Sequence, residues 1–186
     1  MSKKIDVMVD IEAMSLSANA AILSIGAVVF DVGSGVTGST FEVGIDPVSA
    51  ECSGGHVCAD TMRFWATEAK DAARWAAFSG TNTHIDGLIL FATWLESLSG
   101  GDKKSIRLWA NGPDYDLVIM TNAYRRERLD IPWRFRNQRC YRTMRAMLPA
   151  IDLPGYGSHN ALQDALFQAK YLMVAMATAG MKPEGE

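Results

Sequence analysis

The chain has 186 residues, of which 48% are hydrophobic and 21% are charged, a composition typical of one globular domain and not of a disordered or fibrous chain. No apolar run reaches the roughly 20 residues that cross a bilayer, and acids interrupt the apolar N-terminal stretch, so we expect no membrane span and no signal peptide. The net charge of −3 gives no general attraction to nucleic acid.

The first half of the chain predicts three strands with short connections, followed by helices. Apolar, β-branched or alternating segments indicate strands over residues 5–12, 20–31 and 38–46. A loop containing Pro47, Gly54 and Gly55 follows. Two helical segments are then expected, a helix or broken helix over 59–78 and a helix over 83–99 that ends at Gly100-Gly101.

The second half predicts strands that alternate with helices. Strands are expected over 105–110 and 133–140, and helices over 114–129, from 141 to Leu148, and over 160–179. Three strands followed by alternating helices and strands favour a mixed sheet flanked by helices. We expect a single domain over residues 1–180 and a frayed tail over 181–186.

The cysteines do not predict a disulfide framework or a zinc site. There are three cysteines, an odd number that argues against paired bridges. Cys52, His56 and Cys58 lie close together in ECSGGHVC, but a structural zinc site needs four ligands and no second Cys/His pair is nearby. The segment is typical of a Gly-containing loop with reduced thiols.

A basic segment stands out from the otherwise acidic chain. Only Glu127 and Asp130 oppose its positive charges, so its net charge is +6 and that of the remainder is −9. Such a segment tracks phosphates, or it forms a solvated or oligomer-facing surface, and the sequence leaves both open. Its arginines are Arg125, Arg126, Arg128, Arg134, Arg136, Arg139, Arg142 and Arg145.

Two acids at the end of the first strand pose a physical problem. Residues two apart in a strand point to the same face, so Asp10 and Glu12 lie side by side. They repel at close range, and burial of either is costly. Edge strands also carry charges that prevent aggregation, so this pair alone does not identify a site.

Further acids and a histidine occur where predicted elements begin. Asp114 and Asp116 follow the fourth strand in NGPDYD, and His159 and Asp164 open the last helix in HNALQD. A helix cap or a surface acid explains each one singly. Together they indicate hard divalent cations, Mg²⁺ or Mn²⁺, which prefer carboxylate oxygens and act in pairs about 3.5–4 Å apart on phosphodiesters.

These segments resemble a known family. DIE near the N-terminus, an Asn-containing turn leading to YD, and H-x-x-x-x-D at the head of the last helix look like the three motifs of the DEDDh exonucleases of the ribonuclease H-like superfamily. Within that family, the sequence is most similar to the compact 3′–5′ exonucleases of phages and to the mycobacterial exoribonuclease group. The segments that carry this similarity are DIEAMSLSANAAILSIGAVVFD, WANGPDYDLVIM and HNALQDALFQAKY.

The resemblance implies a five-stranded α/β sheet, three strands antiparallel and two parallel, with the fourth strand beside the first. It implies a cytoplasmic location in a bacterium or a phage-infected cell and single-stranded nucleic acid as substrate. Relatives are often dimers, so a homodimer is one state that the resemblance allows, and the sequence leaves the oligomeric state open. The resemblance also implies two Mg²⁺ or Mn²⁺ ions and a general base, His159. The implied metal ligands are Asp10, Glu12, Asp116 and Asp164.

Substrate contacts are expected around the acids. Met14 and Leu16 are placed to wedge against the terminal base, and Asn111 lies in the second motif. Phe64 and Trp65 would stack on bases, although aromatic residues at helical positions are more often core. Two departures from the family are visible. Ala13 stands where many relatives have a hydroxyl residue, and the second-motif acid comes one position later than in proofreading relatives, as it does in oligoribonucleases.

We therefore predict a metal-dependent 3′–5′ exonuclease that releases nucleoside 5′-monophosphates from single-stranded DNA or RNA. One alternative is a phosphodiesterase that acts on short or signalling oligonucleotides. Another is a catalytically idle nucleic-acid-binding module, although a pure binder gains nothing from carboxylates that face phosphates. A structural Ca²⁺ protein is disfavoured because no contiguous loop supplies the ligands.

Overall fold

A computed structural model describes residues 4–155 and 157–181, with a five-stranded sheet at its centre. The strands are Ile5–Ala13 (β1), Ile22–Asp31 (β2), Val36–Gly44 (β3), Ile106–Ala110 (β4) and Gln138–Cys140 (β5). They lie in the order β3-β2-β1-β4-β5. The first three are antiparallel neighbours, whereas β4 runs parallel to β1 and β5 runs parallel to β4. The predicted mixed sheet is confirmed.

Seven helices are found among the described residues. They are Pro47–Cys52 (α1), Ala59–Thr67 (α2), Asp71–Phe78 (α3), His84–Ser99 (α4), Asp116–Arg126 (α5), Tyr141–Met147 (α6) and Ala161–Thr178 (α7). None of the helices in 4–155 and 157–181 has the length and apolar character needed to cross a membrane. The predicted tail over 181–186 falls, apart from Met181, outside the described residues.

Two local predictions are wrong. The loop expected after residue 46 contains α1, which begins because the Asp46 side chain accepts a hydrogen bond from Val48 N at 3.1 Å and proline occupies the first helical position. The fifth strand is shorter than 133–140. Asn137 ends a short 3₁₀ turn, and its side-chain amide donates to the Ile106 carbonyl at 2.9 Å, where a strand would have paired through its backbone.

Strand β1 separates two hydrophobic layers. Val7, Val9 and Ile11 face the layer that contains α4 and α5, whereas Met8 faces the layer that contains α6 and α7. Because side chains alternate along a strand, Asp6 and Asp10 lie on the α7 side with Met8. These acidic side chains of β1 therefore face α7, the last helix.

Gly26 lets the last helix approach the sheet closely. It pairs with Asp10 across β1 and β2, and a Cβ atom at this position would lie 2.1 Å from Leu162 N. A side chain there would overlap the backbone of the first turn of α7, so only glycine fits. This contact places the start of α7 directly beside the acids at the end of β1.

At the opposite end of β1, a buried aspartate is fully neutralised. Asp6 accepts hydrogen bonds from Arg107 Nε at 2.8 Å and from Arg107 Nη2 at 2.5 Å, and from Trp109 Nε1 at 2.7 Å. Both donors come from β4, the parallel neighbour of β1. The cluster of Asp6, Arg107 and Trp109 therefore joins the two central strands.

Candidate active site

Acids from three separate elements meet at the C-terminal end of β1. One carboxylate oxygen each of Asp10, Glu12 and Asp164 lies within 4.8 Å of the others. Asp116, the first residue of α5, joins them from the other side, where its Oδ1 accepts a hydrogen bond from Ile11 N at 3.3 Å. The structure thus brings together all four acids that the motifs single out.

These acids line an open cavity of about 640 Å³ together with His159. Its wall also includes apolar and aromatic side chains from the loop after β1 and from α2. A cavity with apolar walls and a few convergent polar groups is the usual form of a small-ligand site. Its remaining lining includes Leu16, Phe64, Trp65, Asn111, Tyr115, Arg142 and Gln168.

The electrostatics of the cavity disfavour so many negative charges. Burial, followed by the charges of Asp116 and Glu12, raises the pKa of Asp10 well above its ordinary value. Burial and the neighbouring acids Asp164 and Asp116 raise the pKa of Glu12 to about 8. Without a counter-ion, these carboxyl groups hold protons more tightly than they would in water.

Asp116 carries the clearest sign of a missing partner. Burial raises its pKa to about 6, although backbone hydrogen bonds and the charge of Arg142 act in the opposite direction. Its Oδ2 is buried and has no hydrogen-bond partner among the described residues. Buried polar atoms are rarely left unpaired, so a cation fits this donor set.

Of the two explanations for Asp114, a helix cap or a surface acid, the structure matches the surface acid. The helix α5 begins at Asp116, the preceding N-cap residue is Tyr115, and no side chain caps it. Asp114 is exposed at the rim of the cavity. Tyr115 OH instead donates to the Ser15 carbonyl at 3.3 Å, which fixes the loop after β1 against the start of α5.

Asp164 holds the residues that precede α7. Its Oδ1 accepts from Ser158 N and Ser158 Oγ, both at 2.9 Å, and its Oδ2 accepts from His159 N at 3.0 Å. His159 adopts a left-handed conformation, with φ of 53°, which is strained for a residue other than glycine. The carboxylate of Asp164 therefore fixes the backbone of the residue predicted to be the base.

Aromatic packing fixes the ring of His159 at the cavity wall. The ring centroids of Phe64 and His159 are 5.0 Å apart, in an edge-to-face arrangement. Trp65 lies behind them, with 3% of its surface exposed, and its Nε1 donates to the Ala13 carbonyl at 3.1 Å. Trp65 thus matches the core alternative, and Phe64 presents more surface to the cavity than Trp65 does.

The two candidate wedge residues differ sharply in their exposure. Met14 is 5% exposed and belongs to the hydrophobic core, whereas Leu16 is 78% exposed and lines the cavity. The placement of Met14 does not support contact with a base. Asn111 lies at the cavity, and its carbonyl accepts from Arg142 Nη2 at 2.8 Å.

Two cavity residues are not singled out by the sequence motifs. Arg142 belongs to the basic segment, but nothing in its spacing distinguishes it from the other arginines. Gln168 follows Asp164 by four positions and therefore lies on the same face of α7, a signal that helical periodicity carries.

In the Cys52 to Cys58 loop, His56 Nδ1 lies 2.7 Å from Ser15 Oγ, so this histidine supports the loop after β1.

Comparisons with known proteins identify the fold and the family of this arrangement. The family model of the 3′-5′ exoribonuclease Rv2179c-like domain matches residues 5–176. A comparison with curated proteins found no significant match. Among solved structures, the nuclease domain of 3′hExo, a DEDDh family member bound to rAMP, has a TM-score of 0.66 and 13% identity over 96% of this chain and 94% of that chain.

Exonuclease I of E. coli is also similar. Its zinc-bound complex with single-stranded DNA has a TM-score of 0.66 and 13% identity over 96% of this chain and 41% of that chain. Its complex with a dT13 oligonucleotide has a TM-score of 0.65 and 12% identity, covering 96% and 43%. This chain therefore spans about two-fifths of the length of exonuclease I, and at such low identity the likeness establishes the fold.

Proposed function

Because the chain belongs to the Rv2179c-like family of 3′-5′ exoribonuclease domains, we propose that it is a metal-dependent 3′–5′ exonuclease acting on single-stranded nucleic acid. The observation that carries this proposal is the convergence of four acids from β1, α5 and α7 on one cavity beside His159. Such a convergence of like charges is unfavourable unless protons or a cation neutralise it.

The proposed ligands of the cations are the four acids of the cavity, Asp10, Glu12, Asp116 and Asp164. Carboxylate oxygens suit Mg²⁺ and Mn²⁺, and the unpartnered Oδ2 of Asp116 supports this assignment. When bound, two such ions polarise the terminal phosphodiester and stabilise the charge that develops on the leaving 3′ oxygen.

His159 is the proposed general base. Its ring lies at the wall of the acidic cavity, and a ring nitrogen accepts the proton of the attacking water. The water oxygen forms a bond to phosphorus, and the bond from phosphorus to the 3′ oxygen of the preceding nucleotide breaks. That oxygen takes a proton from solvent. The products are a nucleoside 5′-monophosphate and a strand that is one nucleotide shorter, with a free 3′ hydroxyl.

Two features of the cavity wall are proposed to hold the terminal nucleotide. Leu16 and Phe64 offer apolar surface to the base, and base–aromatic contacts tolerate any sequence. Arg142 lies at the same cavity, and its guanidinium suits a phosphate. Met14 and Trp65 are left to the core.

Other arginines of the basic segment make separate contacts. Arg126 contacts Ser53 and His84, and the Arg145 guanidinium lies 5.0 Å from the ring centroid of Tyr171. Arg125 and Arg134, in contrast, line a separate groove of about 460 Å³ beside α5 with the exposed Phe135. We assign this groove to the upstream part of the strand, with a second copy of the chain as the alternative occupant.

The test uses 5′-labelled DNA and RNA strands of about twelve nucleotides, a length within the range that single-strand-binding folds cover. With Mg²⁺ or Mn²⁺, the labelled products should form a ladder in which each is one nucleotide shorter than the last. EDTA should stop the reaction. The family description names RNA, and the exonuclease I complexes contain DNA, so both are compared.

Two controls make the outcome decisive. The Asp10→Ala variant should give no ladder under the same conditions, which excludes a contaminating nuclease. Internal cleavage of the strands, or turnover that persists in EDTA, would contradict the proposal. Cleavage of dinucleotides without cleavage of longer strands would favour the phosphodiesterase alternative.

A further inference from the structure

We propose that Gln168 is a positioning residue that orients Asp10 for cation binding. Gln168 lies on α7 one turn after Asp164, and its Nε2 donates to Asp10 Oδ1 at 2.7 Å. Only 2% of its surface is exposed. The inference rests on the proposed metal-dependent function, because it assigns a role toward the cation to a residue outside the acidic set.

The bond holds one oxygen of the Asp10 carboxylate in place. Asp10 faces the negative charges of three other acids, Asp116, Glu12 and Asp164. The amide of Gln168 is the side-chain donor that acts against this repulsion. With Oδ1 held by the amide, the second oxygen of Asp10 is left for the cation.

An amide suits this position because it is a neutral donor. Arg107 shows what a cationic donor does on the same face of β1, where it neutralises Asp6. A cationic residue beside Asp10 would likewise cancel the negative charge that attracts a metal ion. A carboxylate at 168 would add repulsion, whereas glutamine restrains Asp10 without changing the charge of the site.

The second polar atom of Gln168 supports a role beyond packing. Its Oε1 is buried and has no hydrogen-bond partner among the described residues. An unpaired buried carbonyl is destabilising, so the side chain is not explained by stability alone. Cations such as Mg²⁺ keep several of their waters. Oε1 would accept a hydrogen bond from a water of this kind.

The test measures Mn²⁺ binding without substrate, by titration calorimetry and by the electron paramagnetic resonance signal of free Mn²⁺. Gln168→Met keeps the length of the side chain and removes the donor. Loss of a residue that orients a ligand typically weakens metal binding by about 10–100-fold, and we expect a decrease of this size. Gln163→Met, on the exposed side of the same helix, should bind Mn²⁺ as the wild type does.

The kinetics separate positioning from a purely structural role. The Mn²⁺ concentration that gives half-maximal cleavage should rise by about 10–100-fold in Gln168→Met, while kcat at saturating Mn²⁺ should return close to the wild-type value. Thermal melting without metal should show a folded variant. If Gln168→Met does not fold, Gln168→Asn keeps the amide but shortens its reach, and the same loss of Mn²⁺ affinity is expected.

Three results would overturn the inference. Wild-type Mn²⁺ affinity in the folded Gln168→Met variant would exclude the positioning role and leave the proposed exonuclease function intact. A fall in kcat that saturating Mn²⁺ does not restore would assign Gln168 to another step. If the wild-type protein neither bound Mn²⁺ nor cleaved strands, the proposed function itself would fail and the inference with it.

Discussion

Strand β1 carries two aspartates on the same face, and their surroundings are opposite in character. Asp6 is buried and receives three hydrogen bonds from Arg107 and Trp109. Asp10, four residues later, accepts a hydrogen bond from the neutral amide of Gln168 and faces three other acids. The same residue type therefore joins strands at one end of β1 and forms part of the acidic cluster at the other.

Burial of a carboxylate therefore does not by itself mark a functional site. What distinguishes Asp10 from Asp6 is that like charges, and not a guanidinium, are placed beside it. Arg107 satisfies Asp6 within the protein, so that cluster needs no ligand. The acids around Asp10 raise one another's pKa, which is the condition that a divalent cation relieves.

Alanine substitutions at Asp10 and at Asp6 should have different consequences. Asp10→Ala should lower cleavage by roughly a thousandfold or more, since loss of a metal ligand forfeits several kcal/mol of transition-state stabilisation, and it should keep the fold because it removes a repelled charge. Asp6→Ala should instead lower the free energy of unfolding by about 3–5 kcal/mol, because it leaves Arg107 buried without its partner.

Urea melts and rates per folded molecule, measured below the melting temperature of each variant, check this pair. Asp6→Ala should cleave at close to the wild-type rate once the unfolded fraction is corrected. If Asp10→Ala kept near-normal turnover, or if Asp6→Ala were inactive while fully folded, the division between the two ends of β1 would be wrong.

The second prediction compares Asp116 and Asp114, two acids near the start of α5. Asp116→Asn should lose activity on the scale of Asp10→Ala, since an amide is a poorer ligand for hard cations than a carboxylate. Asp114→Asn should remain active, because this side chain is exposed and caps no helix. Steady-state kinetics at matched Mn²⁺ concentrations measure both, and the reverse order of activities would move the ligand assignment to Asp114.

The third prediction concerns His159, the proposed general base. It lies beside the four acids at the C-terminal end of β1 but is not assigned as a metal ligand. His159→Ala should lower the cleavage rate by roughly 10²–10⁴-fold, the usual scale for a positioned general base. Its Mn²⁺ affinity should stay close to that of the wild type. A pH–rate profile that kept its wild-type shape in this variant would assign the proton transfer to another group.

The fourth prediction concerns the pH dependence of stability that Glu12 contributes. The pKa of Glu12 is raised from 4.5 to about 8, so the folded state binds more protons than the unfolded state between these values. This contribution to stability is full below about pH 4.5 and is lost as the pH rises through about 8.

Mn²⁺ should replace the released protons, so it should raise the melting temperature more at about pH 8 than at about pH 5.5. At a hundred times Kd the gain is about 2.7 kcal/mol, or roughly 5–10 °C for a chain of this length. Differential scanning fluorimetry measures the shift. The pH difference should disappear in Asp10→Ala, and an equal Mn²⁺ shift at both pH values would contradict this account.

A weaker effect is expected from exposed arginines that lie away from both ends of β1. Arg134→Glu together with Arg136→Glu should weaken strand binding and reduce its salt dependence by about one unit of slope for each phosphate that the protein no longer neutralises. The rate at saturating substrate should not change. Fluorescence anisotropy over a salt series measures this, and unchanged binding would leave the groove to a second copy of the chain.

Much of the fold could be predicted from the sequence, because β1 is a nearly continuous apolar run and α7 is a long, mostly apolar segment that stops before Gly180. The strand alternation places Asp10 and Glu12 on one face, and the motif spacing selects Asp116 and Asp164. Met14 could not be placed this way. The register of β1 against β2 shifts between Glu12 and Ala13, so alternation no longer holds beyond that point, and Met14 enters the core.

Other features depend on contacts between distant residues, which no local pattern reports. The short β5 follows from the contact of Asn137 with the Ile106 carbonyl across the sheet edge. Helix α5 begins at Asp116 and not at 114 as expected, and the preceding Tyr115 is held by the loop after β1. The role of Gln168 depends on which strand lies opposite α7, and this becomes visible only in the folded protein.

The pairing of β1 with β4 sets the order in which the protein acquires its parts. Asp6 and Arg107 lie 101 residues apart in sequence, and contacts of such long range form slowly because a large loop must first be closed. The acidic cluster needs this pairing and also needs α7, the last helix, so we expect it to be absent from the folding transition state. Interactions that form after the transition state slow unfolding and leave the folding rate unchanged. A bound cation should therefore lengthen the lifetime of the native molecule without helping it to fold.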